Sequence, residues 1–156
     1  RFHVRVVWPQ KGYKTNEANN ASVELYVTYN DGHNTLTTLL TGDAERDQTK
    51  ETVTSGDVGD IDFLKVGHHG AAKSLYPATA QVLKPEVAVA SAGKNNHYGH
   101  PKQEAIDILE GVGARFYCTK DYGDVTVFPG EHGPKVSVQH AKVDTDLEEE
   151  KDGGAG

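Results

Sequence analysis

Three short apolar runs, Thr35–Leu40, Ile61–Val66 and Glu86–Ser91, are each followed at once by glycine and by side chains able to do chemistry. That recurrence limits the chain more than any other feature. Runs of four to eight apolar residues bounded by turn signals read as buried strands. The stretches between them, Ala44–Val53 and Leu75–Leu83, have helical composition or spacing. Strand, helix and strand in repetition give a sheet with parallel members, and such sheets carry their sites on the loops beyond the strand ends.

The rest of the chain fits around that repeat. Phe2–Val7 alternates apolar and polar and stops at Trp8-Pro9. Ser22–Tyr29 alternates as well, and Asn30-Asp31-Gly32 is a hairpin turn signal that returns the chain into Thr35–Leu40. Leu75, Thr79, Val82 and Leu83 fall on one helical face, closed by Lys84-Pro85. Pro101 suits the first position of another helix, with Ile106 and Leu109 inward and Gly111 or Gly113 as its stop. Strands are expected again at Ala114–Cys118, Val125–Phe128 and Val136–Val138. The architecture predicted is α+β, a mixed β-sheet flanked by helices, in one domain over residues 1–143.

Composition bounds the classes. Of 156 residues, 36% are hydrophobic and 25% charged, as in an ordinary globular chain. No apolar run approaches the roughly 20 residues of a membrane helix. Cys118 is the only cysteine, which excludes an internal disulfide and a thiolate zinc cluster, and its neighbours Phe116 and Tyr117 suggest a buried strand position. The net charge of −7 argues against a broad nucleic-acid-binding face, but residues 144–156 hold six acids against one lysine and so carry most of it. That segment reads as an acidic, mobile tail. The chain contains no methionine and begins inside a strand-like run, so it reads as cut from something longer.

Each polar cluster has two readings. In Leu39-Leu40-Thr41-Gly42-Asp43 a carboxylate is presented at a turn, where it can bridge cations; taken alone, an N-cap for the next helix is the simpler account. In Val66-Gly67-His68-His69-Gly70 adjacent histidines stand in a glycine frame, which lets the backbone approach a ligand or metal. Ser91 to Pro101 packs Lys94, Asn95, Asn96, His97, Tyr98 and His100 into a loop that opens a helix, and such a loop can hold an anion or simply be a turn. His3, His33, His132 and His140 have no partner motif. Neither a P-loop nor a Gly-x-Ser-x-Gly pattern occurs.

Taken together, Asn19/Asn20 before Ser22-Val23-Glu24-Leu25, then Thr41-Gly42-Asp43, Gly67-His68-His69-Gly70 and Asn96-His97-Tyr98-Gly99-His100-Pro101, in that order, resemble the metallo-β-lactamase-like domain of ComEC-type competence proteins. The likeness runs from about Val4 to Val127. It implies the C-terminal half of an αββα sandwich. It also implies that Asp43 and His68 are metal ligands, with His69 behind them or against substrate. His100 and Asn96 would meet the scissile phosphate. The cofactor implied is a divalent metal, zinc or manganese, and the reaction is hydrolysis of a DNA phosphodiester during competence DNA uptake.

Two departures follow. The family's His-x-His-x-Asp-His motif is absent, so the fragment is expected to be inactive alone, with the metal belonging to the intact domain. Ala71 stands where the family has serine, with Ser74 the nearest hydroxyl. The partners implied are single-stranded DNA as substrate, the transmembrane and other domains of the parent, and a second copy through an exposed sheet face. The location implied is a soluble domain of a bacterial inner-membrane protein, on the extracytoplasmic side. A non-catalytic DNA- or partner-binding module, and a hydrolase of another substrate, are the alternatives.

Overall fold

A computed structural model describes residues 1–55 and 57–142. The acidic segment 144–156, expected to be a tail, lies outside the described residues, as does Val143, the end of the expected domain.

Six strands form one mixed sheet in sequence order: β1 (Phe2–Trp8), β2 (Glu24–Asn30), β3 (Thr35–Leu40), β4 (Phe63–Lys65), β5 (Val87–Ala90) and β6 (Arg115–Cys118). β1, β2 and β3 pair antiparallel, whereas β3 to β6 run parallel. The β2–β3 turn closes as its residues dictate: Asp31 Oδ1 accepts from the backbone of His33 and Asn34, and Asn30 Oδ1 from Gly32. Helices α1 (Arg46–Thr54), α2 (Pro77–Leu83) and α3 (Gln103–Glu110) connect the parallel strands. Each crossover steps the same way across the sheet, and crossovers of one hand stack their helices on one face. α1 touches α2, and α2 touches α3. After β6, a short helix α4 (Thr119–Tyr122) leads to a separate hairpin of β7 (Val125–Phe128) and β8 (Lys135–Val138).

The pairing register fixes the two faces. One row across the sheet is Arg5, Tyr26, Leu39, Leu64, Ala88 and Phe116. Its central members join Val53, Leu83 and Leu109 of the helices in the core. On the opposite face, Val6, Leu25, Leu40, Lys65, Val89 and Tyr117 form another row. That face is closed at β5, where Val87 is fully buried, and open at β1, where Phe2, Val4 and Val6 are 69%, 55% and 61% exposed.

Most expected elements form, with shifts at their ends. Val82 is turned outward, because α2 starts at Pro77 and seats Thr79, Ala80 and Leu83 against the core instead. Pro101 lies before α3, whose N-cap is Lys102, and Ala105 and Leu109 form the buried face while Ile106 is only half-buried. Cys118 is buried, and burial pushes its thiol pKa up, so the bland core reading of this residue holds.

Candidate functional site

The three polar clusters follow β3, β4 and β5, which are parallel neighbours, so all three emerge at one edge of the sheet. The loops are then locked together. Thr41 Oγ1 donates to the Lys65 carbonyl at 2.6 Å, and the His68 amide donates to the Gly42 carbonyl at 3.0 Å. Gly67 packs so tightly here that a Cβ would lie 2.6 Å from the Ala44 carbonyl oxygen. At Gly70, where φ is +82°, a Cβ would lie 2.6 Å from Cβ of Pro101, and the Lys102 amide donates to the Gly70 carbonyl at 2.8 Å. The glycine frame seen in the sequence therefore serves close contact between loops.

His68 and His69 both occupy left-handed backbone, with φ of 48° and 57°. Their imidazoles consequently address different partners. His69 Nδ1–H donates to the Ser91 carbonyl at 2.8 Å, which leaves Nε2 facing Asp43 Oδ1 at 3.3 Å. His68 lies with Nδ1 3.6 Å from Glu45 Oε1, and its ring centroid is 6.0 Å from that of His100. Asp43 is not a helix cap: α1 begins at Arg46 with Glu45 at the N-cap position and no side-chain capping bond. Of the residues singled out from sequence, the structure thus joins Asp43 to His69 and brings His68 near His100.

Asn96 is engaged at both ends of its amide. Nδ2 donates to the Gly93 and His100 carbonyls, and Oδ1 accepts the His100 amide at 2.7 Å. It braces the loop that carries His100. His100 is 9% exposed, and burial first, then the nearby charges of His68, Lys102 and His69, holds its pKa below the ordinary histidine value. Its Nδ1, like that of His68, is buried without a hydrogen-bond partner among the described residues. Tyr98 stacks on His100 with centroids 5.5 Å apart and planes 10° from parallel. Lys65, at the end of β4, has its pKa lowered by burial, partly offset by the Asp43 carboxylate. Ser74 is buried, and its Oγ has no hydrogen-bond partner among the described residues.

Sequence reasoning missed Glu45 and Thr119. Glu45 follows Asp43 by two positions and was readable as part of the same turn. Thr119 follows β6 and grips the Ala92 backbone through Oγ1, at 3.1 Å from the amide and 3.2 Å from the carbonyl. The strand-end rule that found the other three clusters also points to it.

The Asp43–His69 spacing suits two donors sharing one ion, whose bonds would be about 2.1 Å. Among the described residues, however, no three His, Cys, Asp or Glu side chains come together in a way that could hold a metal. These residues alone therefore do not fit a complete metal site.

No protein-family model matches the chain. It is 35% identical over 107 residues, 69% of its length, to ComE operon protein 3 of Bacillus subtilis (strain 168). It is 33% identical over 101 residues, 65% of its length, to Recombination protein 2 of Haemophilus influenzae (strain ATCC 51907 / DSM 11121 / KW20 / Rd). The chain spans only 13% and 12% of these two relatives. Neither name specifies a metallo-β-lactamase-like domain.

Proposed function

We propose that this chain is part of a metallo-β-lactamase-like hydrolase domain of a competence protein, acting on DNA phosphodiesters during DNA uptake. The observation that carries the reading is the meeting of Asp43, His68, His69 and His100 at one edge of the parallel strands. The similarity to ComE operon protein 3 and Recombination protein 2 supports it. Asp43 and one of the paired histidines, His68 as the resemblance implies or His69, whose Nε2 faces Asp43, are the donors offered to a zinc or manganese ion, and segments of a longer protein supply the rest. Such an ion, when bound, supplies Lewis acidity and a nucleophilic water.

This chain's own part is binding and orientation. The His100 ring and the Lys102 side chain receive a phosphate group, and Asn96 fixes the loop that presents His100. Among the described residues no helix is long and apolar enough to cross a membrane. We place that domain on the extracytoplasmic side. The open face at Phe2, Val4 and Val6 receives another domain of the parent, and in the isolated chain a second copy.

A second reading, a non-catalytic DNA- or partner-binding module, is favoured by the lack of a third metal donor among the described residues. Calorimetry with Zn²⁺ and Mn²⁺, on this chain and on a version extended upstream, separates the two. The hydrolase reading expects tight binding and cleavage of single-stranded DNA by the extended protein, both lost in Asp43→Ala. An extended protein that binds neither metal and cleaves nothing leaves the binding module as the function.

A further inference from the structure

Beside the two histidines lies a cavity of about 450 Å³, lined by His69, Ser91, Ala92, Tyr98, His100 and Thr119, among others. Its walls are mostly apolar, and one of them is the Tyr98 ring. Tyr98 is 75% exposed, the most exposed of the large apolar side chains. An aromatic held face-on against His100 by stacking, and otherwise open to solvent, is poorly explained by stability. The rim differs in character from the floor. Lys102 Nζ lies against Gly99, where a Cβ would be 3.3 Å from it. An apolar cavity with an aromatic wall and a lysine on the neighbouring turn suits a planar ring joined to a phosphate.

We propose that this cavity is a base subsite: it takes one unpaired nucleobase of a single-stranded nucleic acid, stacked on Tyr98, with the adjoining phosphate at Lys102 and His100. The inference rests on the phosphodiester reading above and extends it from the backbone to the base. Stacking is sequence-tolerant because every base has a π-face, so the subsite selects unpaired over paired strands rather than one base over another. A base within a duplex already has both faces covered and cannot enter. The loop is built to hold the ring in place: Asn96 closes it across His100, and Thr119 pins the cavity floor at Ala92.

The test is a titration of the full chain, followed by nuclear magnetic resonance and fluorescence anisotropy, with three probes. These are a short single-stranded oligothymidine, an abasic strand with the same phosphates, and an uncharged nucleoside. The subsite predicts that Tyr98→Ala weakens the oligothymidine roughly tenfold, a typical stacking effect. Tyr98→Phe should bind as the parent does, and the abasic strand should be indifferent to either change. If both strands bind equally and Tyr98→Ala alters neither, the base subsite is overturned while the phosphate reading stands. If the nucleoside shifts Tyr98, Ala92 and Thr119 resonances but the abasic strand does not bind, the subsite stands and the phosphodiester reading falls. Absence of binding by all three probes overturns both.

Discussion

The parallel strands β3 to β6 and the antiparallel pair β1 and β2 share one sheet, yet they are finished to different degrees. At β5, in the parallel half, both faces are closed: Val87, Ala88, Val89 and Ala90 are all buried, and the candidate site residues follow the ends of β3, β4 and β5. In the antiparallel half the first five residues of β1 are exposed on both faces. Glu24, a carboxyl with no exposure, sits at the start of β2. One half is a self-sufficient scaffold that holds chemistry rigid; the other is a margin that holds unspent apolar surface and a buried acid.

That contrast breaks most readily in the core. Leu64→Ala in β4 empties a site with almost no exposure and should cost about 2–5 kcal/mol in urea unfolding. A loss under about 1 kcal/mol would mean the parallel half is no better packed than the margin.

Glu24 offers the next largest effect. Its carboxyl is fully enclosed, with one oxygen accepting from Thr49 Oγ1 and the other unpartnered, and burial pushes its pKa up to about 7. The groups facing it from α1 are the neutral hydroxyls of Thr49 and Thr52. The native state therefore holds a proton that the unfolded state releases from about pH 4.5 upward. Stability is lost as pH rises through that window and levels off above 7. Glu24→Gln should match the parent near pH 4 and exceed it at pH 8, by on the order of 3 kcal/mol. Parallel pH profiles for the two proteins would show that the acid is not buried in solution.

Asn96→Ala removes three hydrogen bonds from the site loop and should cost about 1–3 kcal/mol. The loss should be local, read as faster hydrogen exchange at the His100 amide with the Leu64 amide unchanged. The smallest stability effect belongs to the margin: Val6→Thr should stay within about 0.5 kcal/mol of the parent. It should, however, reduce self-association seen by light scattering. A parent chain that is monodisperse at high concentration would remove the case for that face as a contact surface.

How much of this was legible follows from the kind of signal each residue gives. The β2–β3 hairpin was readable because Asn30 and Asp31 form their turn with local bonds that need no tertiary partner. The clusters after β3, β4 and β5 were readable because strand ends and glycines are sequence-local. Which histidine faces Asp43 was not, since alternation along a chain has no meaning through two left-handed residues. Asn96 gave its type but not its use, because an amide that could meet a ligand can equally brace a loop. Glu24 was hidden for a different reason: at a strand start a carboxylate looks solvated, and only the placement of α1 over it shows otherwise. Val82 misled because helical spacing fixes a face only after the helix start is known.

The backbone at His68 and His69 has one more consequence. Left-handed backbone costs a residue with a side chain about 1–2 kcal/mol that glycine does not incur. A sequence tuned for folding alone would write glycine at both positions, extending the run from Gly67 to Gly70 into four glycines. Replacing His68 by glycine relieves that cost, whereas at His69 glycine also removes the bond to the Ser91 carbonyl. The pair of imidazoles thus stands where the backbone alone favours glycine.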